Sequence, residues 1–251
     1  MTRRHPAAQL HVRRLGHALQ FIEASALGVR AAHCRLRSSK HSIEFHLFPM
    51  IHIGSAAFYE NVRERIERCD VVLFEGVRSL AVKVLTASYN LAARSKRLGL
   101  VTQRDGLRLA NMKGRSVHAD SSAREFEAAW QSVPWHWRVA AMVSAPLYGL
   151  WLYFTASRES IGRHLGTEDL ETSEDIERFA DLPELQNAVA TKRDARLLAA
   201  IAALIDQPRN HTNVAIIYGA AHMRVVTRFL SDKYGYRVAE ADWLHVFQYA
   251  V

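Results

Sequence analysis

Short apolar runs bounded by polar residues recur along this chain and set the architecture it predicts. Residues 42 to 53 alternate in part and are rich in aromatic and β-branched side chains, which predicts a strand, with Pro49 marking an edge or an irregular end. Ser55 is placed to cap a helix through Arg68 whose Phe58, Val62 and Ile66 fall on one face. Asp70 to Glu75 is a short apolar run bounded by polar residues, the pattern of an interior parallel strand. A further strand is expected at Arg115 to Ala119, followed by Asp120 and the capping candidates Ser121 and Ser122. Another is expected at Asn213 to Tyr218, and the last two begin at Tyr236 and near Val246.

Between these runs the apolar positions recur at helical spacing. Helices are expected at 78 to 98, 121 to 132, 184 to 205 and 223 to 234, with two short helical pieces within the acidic stretch 168 to 182. Pro208 ends the helix before it, and Gly235 is a natural C-cap for the helix before that residue. Residues 7 to 36 also read as helical. The whole is an α/β pattern, a mainly parallel central sheet flanked by helices, with an apolar helical insertion at about 133 to 183.

One segment stands apart. From Val139 to Ala156 no residue is charged, close to the lower limit for a membrane span, yet Pro146 and Gly149 interrupt it and Arg138 and Arg158 flank it. A single span needs about 20 apolar residues, so a buried or lid helix pair is the first expectation. Contact with a membrane interface is the second, and a true span the third. Trp135, Trp137, Trp151 and Tyr153 lie towards its ends, as interfacial anchors would, although aromatics at such spacing also pack in cores.

Composition adds a charge asymmetry. The net charge is +8, and residues 1 to 40 hold eight Arg and Lys against the single acid Glu23. A basic N-terminal arm, residues 1 to 40, is thus set off from an α/β domain at 41 to 251. Its summed field suits an anionic lipid surface better than a nucleic acid, unless it is simply a solvated helix. Cys34 and Cys69 lack metal-like spacing and are too few for a disulfide framework, so both are expected reduced and buried, in a cytoplasmic protein or one peripheral to a membrane.

Candidate chemistry gathers at strand ends. His52 and His222 each follow an apolar strand and precede a helix, Gly219 lets the backbone approach a ligand, and Glu75 closes a third strand. Two imidazoles and a carboxylate can hold a divalent metal, or act as acid, base and orienter without one. Secondary candidates are Arg78, Gln103, Asp105, His118, Asp120 and Asp194. For Asp120, capping the next helix is as good an account as a site role.

This constellation resembles the TraB/Tiki family, within the broader superfamily that includes ChaN-like proteins and erythromycin esterases. The positions carrying the resemblance are Pro49 to His52, Val72 to Glu75, Lys192-Arg193-Asp194 and Gly219 to His222, in family order across residues 43 to 240. Pro49 replaces the family's first motif glycine, removing an N–H and fixing φ. The resemblance implies a metal-dependent, peptidase-like site. His52 and His222 would bind Mn²⁺, Co²⁺ or Zn²⁺, Glu75 would be a ligand or general base, and Arg193 would neutralise an oxyanion or a substrate carboxylate. A peptide or small amide or ester substrate follows from this. Two other readings stand beside it: a metal-free, esterase-like hydrolase, and a non-catalytic haem-binding or membrane-associated regulatory protein of the same fold.

Overall fold

The computed structural model describes residues 19–77, 79–109, 115–120, 122–163, 192–207 and 212–249. Arg78, Ser121, the helical pieces expected at 168 to 182 and residues 184 to 191 of the long helix lie outside them. Within the described residues a seven-stranded sheet carries helices on both faces, so the expected α/β class holds at that level.

Four strands form its parallel part: β3 (Ile43–Met50), β8 (Thr212–Gly219), β5 (Val71–Phe74) and β7 (Ser116–His118), in that spatial order. The near-continuous apolar composition of β5 and β8, which have strands on both sides, follows from burial on both faces. Val214, Ala215, Ile216, Ile217 and Tyr218 are all fully buried, because β8 lies between β3 and β5. Beyond β3 the sheet turns antiparallel. β2 (Gly28–Arg37) pairs with β3, with β1 (Ile22–Ala24), and along its length with β9 (Arg237–Gln248). A small second sheet joins β4 (Ile53–Gly54) to β6 (Val101–Thr102).

One face of the sheet is covered by α1 (Ala56–Ile66), through Phe58, Tyr59, Val62 and Ile66, and by α3 (Ala87–Ala93). Ser55 caps α1 as expected, its hydroxyl accepting from the Phe58 N–H at 3.1 Å. The other face is covered by α7 (Lys192–Asp206) and α8 (Ala220–Tyr234), through Leu197, Ile201, Met223, Val226 and Leu230. Gly235 ends α8 at φ +70°, the left-handed conformation a C-cap glycine supplies. The remaining helices are α2 (Leu80–Leu85), α4 (Gln103–Leu107), α5 (Ala123–Ser132) and α6 (Trp135–Thr155). A small apolar cluster of Ala81, Phe126, Trp130 and Val133 joins α2, α5 and α6.

Several expectations need correction. Residues 22–37 are strands of the central sheet, not a helical arm, so no boundary at residue 40 separates them from the domain. Their arginines are answered by acids on neighbouring strands: Arg30 by Glu23 at 2.7 Å, and Arg35 and Arg37 by the buried Glu44. Those acids are distant in sequence or across a turn, which a helical reading does not anticipate. The helix expected at 78 to 98 is two helices divided at Thr86, whose hydroxyl donates back to the Val82 carbonyl at 2.8 Å. Pro49 is on an interior strand, but beyond residues 45–47, which pair with β2, so its missing N–H breaks no rung of that ladder. The final two strands are the single β9. The helix pair expected across Pro146 and Gly149 is the one 21-residue helix α6, and no described helix is long and apolar enough to cross a membrane.

Gly149 explains why α6 runs on. A Cβ there would sit 2.6 Å from the Ser88 Cα and 3.1 Å from the Ala87 carbonyl oxygen. Glycine costs a helix about 1 kcal/mol, and close packing of α6 against α3 offsets it.

Candidate functional site

The register of the parallel strands decides which residues meet. Met50 pairs with Gly219 and Phe74 with Ile217, so β3, β8 and β5 end together and their following residues share one edge. His52, Glu75 and the turn into α8 therefore emerge side by side. β7 pairs Phe74 with His118, which brings Asp120 to the same edge. The helix α7 then lays Arg193 and Asp194 across it.

Arg193 is the centre of the arrangement. Its Nε donates to Asp120 Oδ1 at 2.8 Å, and its Nη2 donates to Asp120 Oδ2 at 2.9 Å and to Glu75 Oε2 at 3.1 Å. The Asp120 carboxylate is completely buried, and its Oδ2 also accepts the Gly76 N–H at 2.9 Å. Glu75 keeps 9% of its side-chain surface. Burial works to lower the Arg193 pKa, but the bonds and charges of Asp120 and Glu75 outweigh it and hold it above its ordinary value. Asp120 is thus a member of the cluster. The helix after it is capped by Ser122, which forms a reciprocal capping box with Glu125.

His222 forms the second unit. Its Nδ1 lies 2.6 Å from Asp194 Oδ1, and its ring stands edge-on to Tyr218 with centroids 5.4 Å apart. An Nδ1–H held by a carboxylate fixes the tautomer and leaves Nε2 as the basic nitrogen. The Tyr218 hydroxyl donates to the Ala119 carbonyl at 2.7 Å, and burial drives its pKa up. Gly219 separates the two units. A Cβ at that position would be 3.6 Å from both Glu75 Oε1 and His222 Cδ2, in ordinary contact, so glycine keeps open the space that the carboxylate and the imidazole share.

His52 faces the cluster from the β3 side. The charges of Glu75 and Arg193 both act on it, and its ring packs on Tyr89 at 4.8 Å. Crowding by protein lowers its pKa, Glu75 opposes this and Arg193 adds to it. The residue still presents an exposed edge to solvent. Gln103 supports this loop through its backbone, its N–H donating to the His52 carbonyl at 2.9 Å. Asp105 accepts from its own cap residue, Thr102, and His118 bonds the Gly76 carbonyl. These three shape the surroundings of the site.

Glu75, Arg193, Asp120, Asp194, Gly219 and His222 are therefore brought together, with His52 at the rim. Tyr218 and Tyr89 were not anticipated. Tyr218 reads as one more apolar strand residue, and its only signal is its position beside Gly219. Tyr89 lies in a helix whose contact with His52 is visible only in three dimensions.

The donor set does not match a metal centre. Glu75 Oε2 and both Asp120 oxygens are taken by a guanidinium, and His222 Nδ1 is taken by Asp194. Among the described residues no three His, Cys, Asp or Glu side chains form a group that could hold a metal ion. His52, Glu75 and His222 thus share an edge without converging as ligands.

No family model, no curated protein and no solved structure matches this chain.

Proposed function

We propose that this chain is a hydrolase acting on an ester or amide, with the His222–Asp194 pair as its general base. The observation that carries the reading is the 2.6 Å contact between His222 Nδ1 and Asp194 Oδ1, beside a carboxylate and a guanidinium at the ends of parallel strands. In this reading a water sits in the space kept open at Gly219, between His222 Nε2 and Glu75. His222 takes the proton of that water as its oxygen attacks the substrate carbonyl. The imidazolium then returns the proton to the departing alkoxide or amine. Asp194 orients the ring and balances its charge.

Arg193 has a second part. Its Nε and Nη2 hold the two carboxylates, while its Nη1 makes no hydrogen bond among the described residues and is available to the carbonyl oxygen as charge develops. The resemblance to the TraB/Tiki family and the erythromycin esterases supports hydrolysis as the reaction class. The donor set favours the metal-free version over the metal-dependent peptidase, and no step here passes through a metal.

The test is a panel of chromogenic esters and peptide amides, assayed with and without chelator. Turnover retained in chelator and lowered about 10²–10⁴-fold in His222→Ala and in Asp194→Asn is expected. Activity abolished by chelator and restored by Mn²⁺, Co²⁺ or Zn²⁺ would replace this reading with the metal peptidase. Equal turnover in wild type and both variants would end it.

A further inference from the structure

The helix α6 packs on α2 and α3 with one side only. Gly149 is buried against α3, and Ala141 and Met142 join the cluster with Phe126 and Trp130. Arg138, half-buried, is the one charged residue of the helix; the exposed positions carry no charge, with His136, Ser144 and Thr155 as polar members. The large apolar side chains on it include Trp135 at 69% exposure, Leu147 at 61%, Trp151 at 56% and Phe154 at 65%. A contiguous apolar surface of this kind on a folded chain marks an interaction site, whereas single exposed apolar residues do not.

Charge identifies the partner. Six of the large exposed side chains, Leu147, Tyr148, Leu150, Trp151, Tyr153 and Phe154, lie in the C-terminal half of α6. That end is tied to the segment after α3, where Arg97 donates to the Ala156 carbonyl at 2.8 Å and Arg158 to the Leu98 carbonyl at 2.6 Å. This segment exposes Arg94, Lys96 and Arg97. Across residues 79 to 109 there are six Lys and Arg against the single acid Asp105. Arg94 and Arg104 also line a cleft of about 340 Å³ between α3 and α4. A second copy of the chain docked symmetrically on this face would bring two such basic segments together, at a repulsive cost. An anionic bilayer satisfies both features, taking the aromatic and aliphatic side chains at the acyl boundary and the bases at the phosphates.

We infer that α6 is an interfacial membrane helix. It lies in the plane of an anionic lipid surface with its C-terminal half inserted, and Arg94 and Lys96 meet the headgroups. It does not depend on the hydrolase reading, because none of these residues belongs to the His222 or Arg193 clusters.

The experiment uses the full chain with vesicles of phosphatidylcholine, with and without phosphatidylglycerol. Three of the five tryptophans, Trp135, Trp137 and Trp151, are exposed on α6, so emission reports this helix directly. A blue shift and quenching by brominated acyl chains are expected with the anionic vesicles, weakening at high salt. Leu147→Glu/Trp151→Glu should lower binding on the order of a hundredfold with circular dichroism unchanged, since both side chains point away from the packed face. Arg94→Glu/Lys96→Glu should lower it about tenfold or more while leaving the packing of α6 alone. No binding to anionic vesicles overturns the inference. So does unchanged binding of the α6 variant, which assigns the contact to the basic residues at 1 to 18. Self-association that the α6 variant abolishes, without vesicle binding, overturns it in favour of a second copy.

Discussion

Replacing Asp120 by alanine tests the physical account of the site most directly. The carboxylate is fully buried, and among the hydrogen bonds it accepts are two from Arg193 and one from the Gly76 N–H. Its loss leaves a mostly buried guanidinium held, among the described residues, by Glu75 at 3.1 Å, and leaves a backbone donor without that acceptor. Breaking a buried ion pair from one side costs about 3–5 kcal/mol, because the remaining charge has been taken out of water. Asp120→Ala is therefore expected to lower unfolding free energy by about that amount. The assay is urea denaturation followed by circular dichroism and tryptophan fluorescence, with coincident transitions required. A double variant with Arg193→Met should recover part of the loss and show coupling of about 1 kcal/mol or more in a double-mutant cycle. Removing Glu125, whose partner Arg196 also lies in solvent, should change stability far less. A loss below about 1 kcal/mol in Asp120→Ala, or strict additivity with Arg193→Met, would refute the claim that this buried pair organises the strand ends.

Gly219→Ala should leave stability nearly unchanged, since the added methyl meets its neighbours at 3.6 Å or more. It should lower turnover sharply by filling the space between Glu75 and His222. Normal turnover in a folded Gly219→Ala protein would remove the water position proposed there. His46 is held below its ordinary pKa of 6.5, first by burial and then by His33, with Arg35 adding to this and Glu44 opposing it. Between its lowered native value and 6.5 the unfolded chain binds the proton that the folded one refuses. The stabilisation is thus complete above pH 6.5 and lost as pH falls through that window. His46→Gln should flatten the acid side of a stability profile taken from pH 7.5 downward, and an identical slope would show that other groups govern it. Burial, with Asp242 for Cys34 and with Asp70 for Cys69, pushes both thiols up to about 12. Neither should react with a disulfide reagent at neutral pH until the protein unfolds, and rapid labelling of the native chain would contradict their buried placement.

The interior of the parallel sheet was legible because β5 and β8 are apolar on both faces and bounded by polar residues. The runs ending at Glu75 and Gly219 read as interior strands without any knowledge of their partners. α1 was legible for an equally local reason, since Ser55 and the triplet Phe58, Val62 and Ile66 carry its cap and its stripe. β2 was not. Its alternation of Ala32, Cys34 and Leu36 with His33, Arg35 and Arg37 has the two-residue period of a strand, but the arginines look solvated until Glu44 and Glu240 arrive from neighbouring strands. The unbroken α6 was hidden likewise, because Gly149 breaks a helix in isolation and favours one that must approach Ser88 closely. Of the site, the histidines and Glu75 were visible as strand-end residues. The pairing of His222 with Asp194 was not, because it depends on where α7 crosses the sheet.

That crossing bears on both units at once. β5 and β7 are adjacent and parallel, so Glu75 and Asp120 must leave the sheet as neighbours whatever else the chain does. Two carboxylates so placed, one fully buried and one nearly so, repel each other unless a cation lies between them. Arg193 supplies it, and the next residue along α7, Asp194, reaches His222. A single turn of helix thus neutralises the carboxylate side of the site and orients the imidazole side. A variant that shifts α7 along its axis should therefore lose the Glu75 and His222 contacts together. An Arg193 variant that keeps α7 docked, such as Arg193→Met, should disturb the carboxylates while leaving the 2.6 Å His222–Asp194 contact in place.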